Sequence, residues 1–162
     1  MEDIMKIKFF SLTLAALLAV GLIGITIYAK ESDSNNKITF YIKNLEKGDL
    51  MLWDVCSRCS NTFSVTIRDD DTIYKDIYKD TYKKEVDVLS YGSAHYKGGK
   101  NLRIEVEFDD SSVDLKKAQA SSAIKDEENK TIGYIYTYNL EDANDEDYND
   151  AVITLKSWKE HK

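Results

Sequence analysis

The chain has 162 residues, with 22 basic and 29 acidic side chains and a formal net charge of −7. That balance excludes a protein built to bind a nucleic-acid backbone, which needs a basic surface. The length is enough for one domain, and the absence of proline with only seven glycines argues against a low-complexity or disordered chain.

The first segment is apolar. Lys6 and Lys8 precede an uncharged run, residues 9–29 (FFSLTLAALLAVGLIGITIYA), and Lys30, Glu31 and Asp33 follow it. Two readings stay open. One is a secretory signal peptide cut after Ala29. The other is a signal-anchor helix, because roughly 20 apolar residues cross a bilayer core. Both place the rest of the chain outside the cytoplasm, secreted or membrane-anchored, since flanking lysines stay inside. No cysteine follows at the spacing of a lipid-anchor signal. Residues 30–36 read as a linker and residues 37–162 as the exported domain.

That domain has a dominant period of two, the signature of half-buried strands. Strands are expected at residues 37–42 and 49–55. Next comes CSRC, with Cys56 and Cys59. Outside the cytoplasm a disulfide between them is the default; free thiols, or a redox or metal pair, are the alternatives. Residues 62–68 alternate, with Phe63, Val65 and Ile67 on one face. Residues 72–83 repeat TIYK-DIYK-DTYK and read as a solvated edge strand with Lys75, Lys79 and Lys83 on one side, since lysines discourage edge pairing. A tyrosine strip for sugar stacking is the alternative.

Further strands are expected at 84–89, at 101–108 (NLRIEVEF, with Leu102, Ile104, Val106 and Phe108 on one face), at 131–138 and at 151–158. Only residues 113–123 compete as a helix, and their serine-rich end weakens that reading. Many short alternating strands with turn-like punctuation define an all-β, antiparallel sandwich, preceded by the N-terminal apolar helix.

The densest feature is EDANDEDYND, residues 141–150, with carboxylates at Glu141, Asp142, Asp145, Glu146, Asp147 and Asp150. Oxygen ligands this close suit a hard divalent cation, calcium rather than magnesium. An EF-hand fails: with Asp145 as first ligand, the glycine position holds Asp150 and the closing glutamate position holds Lys156. The run leads into a strand, so it reads as a loop-into-strand cation site, with a solvated acidic loop as the alternative.

The stretch EDANDEDYNDAV, the strand after it and Trp158 resemble the C-terminal motif of the calcium-mediated fucose/mannose-binding bacterial lectins of the PA-IIL type. The resemblance extends through residues 99–119 (GKNLRIEVEFDDSSVDLKKAQ) and more weakly to residues 49–67. It implies a sandwich of about nine strands, Greek-key-like, with two calcium ions. Their ligands would be Glu141, Asp145, Asp147, Asn149 and Asp150, with the backbone carbonyl of Cys56. Sugar hydroxyls would coordinate the ions, Asp142 would accept a hydrogen bond from the sugar, and Ser57 and Arg58 would tune the choice of sugar. The partners implied are fucose- or mannose-type glycans and a second copy of the chain, as a dimer or larger oligomer. Glu141, Asp145, Asp147 and Asp150 together carry the charge that balances two divalent cations.

The chain departs from that pattern at both cysteines and in its C-terminus. The family ends soon after the tryptophan with a carboxylate that completes a neighbour's site; here that position falls on Glu160. A calcium-stabilised extracellular adhesion or scaffold module without sugar binding is the alternative function. An enzyme is not expected: no Ser/His/Asp set is in context, and carboxylates consecutive on one loop chelate rather than flank a substrate.

Overall fold

A computed structural model describes residues 35–80, 86–142 and 150–160. Among them are nine strands: β1 (Lys37–Tyr41), β2 (Leu50–Ser57), β3 (Phe63–Arg68), β4 (Ile73–Lys79), β5 (Asp87–His95), β6 (Arg103–Phe108), β7 (Lys116–Lys125), β8 (Thr131–Glu141) and β9 (Ala151–Trp158). They form two sheets, ordered β1-β6-β3-β4 and β5-β2-β9-β8-β7. Every pairing is antiparallel.

The chain crosses between sheets after β1, β2, β4, β5 and β6. It stays within one sheet for the β3–β4 hairpin and the β7–β8–β9 meander. The expected N-terminal helix lies outside the described residues, and no helix among the described residues is long and apolar enough to cross a membrane.

Alternation builds the core. Ile104, Val106 and Phe108 of β6 and Phe63, Val65 and Ile67 of β3 are fully buried. They face Met51 and Val55 of β2 and Ile153 and Leu155 of β9. Each such side chain contributes roughly 1.5–3 kcal/mol through removal from water. Phe63 and Phe108 stack with ring centroids 4.8 Å apart. Between the sheets, Phe40 of β1 meets Tyr138 of β8 at 4.4 Å.

Two tyrosines of β8 turn inward as the alternation predicts, and burial pushes both phenols up. Tyr136 stays satisfied by donating its hydroxyl proton to the carbonyl of Lys43. At Gly133 the strands approach too closely for any side chain: a Cβ there would lie 2.0 Å from the carbonyl oxygen of Ser157.

One open reading closes and two local expectations change. Residues 113–123, which competed as a helix, do not form one; residues 116–123 lie in β7, paired with β8. β5 runs to His95, six residues past the expected end of that strand, because Ser90, Tyr91 and Gly92 pair with Val55, Asp54 and Trp53 of β2 despite their weak strand signal. Gly92 is needed there, since a Cβ would lie 2.6 Å from the Trp53 ring. In β4, an edge strand as expected, Lys79 is buried beside Ile77 and only 3% exposed, so its face is not the solvated one.

A buried carboxylate organises the hairpin between β3 and β4. Asp69 Oδ1 accepts the backbone N–H groups of Asp71 (2.8 Å) and Thr72 (2.7 Å), and Oδ2 accepts the Tyr74 hydroxyl at 2.5 Å. Burial pushes this carboxyl up. The donors, with the Gly99 N–H, outweigh burial and hold it below the usual carboxylate range.

Candidate functional site

The site is built where three strands end side by side. Ser57, the last residue of β2, pairs with Ala151, the first of β9. Ala151 in turn pairs with Leu140 near the end of β8. The segment after β2 and the acidic residues flanking the β8–β9 connection therefore meet at one end of the sandwich. The backbone N–H of Arg58 donates to the Asp150 carbonyl at 3.3 Å and ties the two together.

Within this junction the Asp142 N–H donates to Asp150 Oδ2 at 2.6 Å. Asn61 Nδ2 donates to Asp142 Oδ2 at 2.9 Å. Glu141 is fully buried, and Asp150 is only 9% exposed. Burial pushes the Asp150 carboxyl up to about 7; the Asp142 N–H pulls it down, but the neighbouring Asp142 and Glu141 charges push it up again. A carboxylate buried beside a second acidic group is favoured in its protonated form or beside a cation.

Cys59 completes the cluster. Its Sγ and the carboxylate oxygens of Asp142 and Asp150 all lie within 4.8 Å of one another. The thiol is 4% exposed, lies 3.4 Å from Ser57 Oγ and donates to the Asn61 carbonyl at 3.6 Å. Burial pushes this thiol up, while the Ser57 hydroxyl and the Lys79 ammonium pull it down. Lys79 holds the segment from below: Nζ donates to the carbonyls of Cys59 (2.9 Å) and Asn61 (2.8 Å) and lies 5.8 Å from the Phe63 ring centroid.

Cys56 and Cys59, between which a disulfide was the default expectation, are both free in this structure. Residues 55–57 alternate buried, half-buried, buried. Cys56 therefore points to the outer face of the five-stranded sheet, while Cys59 lies in the core. The opposite faces keep the sulfurs apart.

Of the other residues singled out from the sequence, Glu141, Asp142 and Asp150 are brought together. Asp145, Asp147 and Asn149 lie outside the described residues. Ser57 is buried with its hydroxyl turned to Cys59, whereas Arg58 is exposed. The sequence gives no role to Asn61 and reads Lys79 as a solvated edge lysine, whereas the structure places both at the junction. A signal for Lys79 existed: it shares strand parity with Ile77, the buried residue of β4. The donor atoms that come close together are those of Asp142, Asp150 and Cys59, two carboxylates and one sulfur.

The two-sheet antiparallel sandwich is a fold shared with solved bacterial lectins. No protein-family model and no curated protein matches the chain. Three solved structures share its fold. The C-terminal domain of the BC2L-C lectin from Burkholderia cenocepacia matches with a TM-score of 0.51 and 17% identity, over 76% of this chain and 96% of that one. The high-affinity mannose-binding lectin of Ralstonia solanacearum matches with a TM-score of 0.50 and 19% identity, over 76% and 96%. The Chromobacterium violaceum lectin CV2L, in complex with α-methyl-fucoside, matches with a TM-score of 0.50 and 18% identity, over 80% of this chain and the whole of that one. These structural neighbours are lectins of the PA-IIL type. At such identities the likeness is one of fold.

Proposed function

We propose that this chain is a carbohydrate-binding protein of the lectin kind, and that its binding depends on calcium held at the β2–β8–β9 junction. The observation that carries the reading is the meeting of Asp142 and Asp150 with the segment after Ser57, in a fold that three solved lectins share. Glu141 and Asp150 would hold calcium together with Asp145, Asp147 and Asn149. Bound calcium supplies open coordination positions that exchange water for vicinal hydroxyls.

This chain's own residues do the rest. Asn61 fixes the Asp142 carboxylate, whose remaining lone pairs accept from a sugar hydroxyl. Arg58 is the exposed side chain next to the junction and selects among sugars. Fucose- or mannose-type glycans are the ligands we propose, bound without catalysis, by an exported domain that is secreted or tethered through residues 9–29. Self-association belongs to the same proposal.

A glycan array and a fucose or mannose column, run with calcium and with EDTA, test this. Retention should require calcium and disappear in Asp150→Ala. Retention that survives both EDTA and Asp150→Ala would refute the mechanism.

A further inference from the structure

The sulfur at the junction separates this chain from an all-oxygen calcium site. We infer that Cys59 Sγ and the carboxylates of Asp142 and Asp150 form a mixed sulfur–oxygen site for a thiophilic divalent cation of the zinc class. The inference shares Asp142 and Asp150 with the reading above but does not rest on its calcium: a zinc-class cation here would compete with calcium and sugar for the same carboxylates.

The first support is proximity. The three ligand atoms come from residues 59, 142 and 150, distant in sequence, yet all lie within 4.8 Å of one another. Small side-chain rotations bring such atoms to the roughly 2.0–2.3 Å bond lengths of a zinc ion. The second support is burial. Cys59 and Asp150 are buried, at 4% and 9% exposure, with Asp142 half-buried beside them; a charge on Asp150 there is costly unless a proton or a cation offsets it.

The third is orientation of each ligand by its own partner. Asn61 Nδ2 fixes Asp142 at 2.9 Å. The Asp142 N–H fixes Asp150 at 2.6 Å. Lys79 clamps the carbonyls of Cys59 and Asn61 on either side of the turn that carries the sulfur. Such outer partners set ligand direction and metal affinity.

Donor chemistry selects the ion. Calcium takes oxygen ligands and gains little from sulfur, whereas zinc-class cations take thiolate, carboxylate and water together. Burial pushes the Cys59 thiol up in the metal-free protein. Binding replaces the S–H bond by an S–metal bond and releases that proton, with any proton shared by the carboxylates, to solvent. A fourth position remains for water or a ligand oxygen.

The probe is cobalt(II), a spectroscopic stand-in for zinc. Reduced, metal-free full-length protein is titrated with it, and the thiolate-to-metal charge-transfer absorption is followed. We expect the band to appear, to be removed by added zinc, to survive Cys56→Ser and to vanish in Cys59→Ser. Asn61→Ala, which leaves all three ligands in place, should weaken cobalt binding about 10- to 100-fold and keeps the test decisive if Cys59→Ser does not fold. Absence of the band, its survival in Cys59→Ser, its loss in Cys56→Ser or unchanged affinity in Asn61→Ala would overturn the assignment. The sugar reading fails separately: calcium-independent columns beside a Cys59-dependent cobalt band would remove calcium and leave this site standing.

Discussion

The N–H of Asp142 donates to Oδ2 of Asp150 at 2.6 Å, although eight positions separate them along the chain. The bond closes the β8–β9 connection at its neck. It also places two acidic residues, one buried and one half-buried, against each other, where their charges repel.

Replacement of Asp150 by asparagine tests that relation. The amide oxygen can still accept from Asp142, but the charge is gone. The wild-type protein should melt at a higher temperature with calcium than without it, and the variant should lose that rise. Thermal melts with and without calcium read the difference; an unchanged calcium response would place the ion elsewhere.

Lys79→Met removes the ammonium that two carbonyls share and keeps the apolar stem over Phe63. Two acceptors are left unsatisfied, so the cost should be about 1–3 kcal/mol in urea unfolding. Amide exchange at residues 58–61 should quicken. A neutral result would mean that water replaces the lysine without loss.

Asp69 predicts a pH dependence. Its carboxyl titrates below the ordinary range when folded, so the unfolded chain binds a proton first as acid is added. Its stabilisation is complete above the unfolded pKa of about 3.9 and disappears as pH falls through the lower folded value. Asp69→Asn should be less stable than wild type at neutral pH, with the gap narrowing in acid. Melting curves across pH 2–7 check this, and a constant gap would contradict it.

Arg58 is exposed at the rim and donates only its backbone to Asp150. Arg58→Ala should therefore leave calcium affinity intact and change the order of preference on a glycan array. Loss of calcium binding in this variant would show that the guanidinium supports the metal junction instead of the sugar.

Much of the sandwich was legible in local periodicity. Phe63, Val65 and Ile67, and Ile104, Val106 and Phe108, alternate with polar residues, and a pleated strand can bury only one such face. The segment at β7 was ambiguous because Ala118–Gln119 and the serines after it have no strong period; pairing with β8 decided it. The free state of the cysteines was equally out of reach, since the CSRC spacing permits a bond and the opposing faces of Cys56 and Cys59 appear only once β2 takes its place between β5 and β9.

The sequence by itself determined the strand periodicity, the crowding of acids between residues 141 and 150 and the likeness to a lectin motif, because these depend on neighbours a few residues apart. Only the tertiary structure decided that Cys59, Asn61 and Lys79 stand around Asp142 and Asp150. Antiparallel pairing of β9 with both β2 and β8 brings residues some eighty positions apart to one end of the sheet, and no local pattern encodes which side chains will meet there.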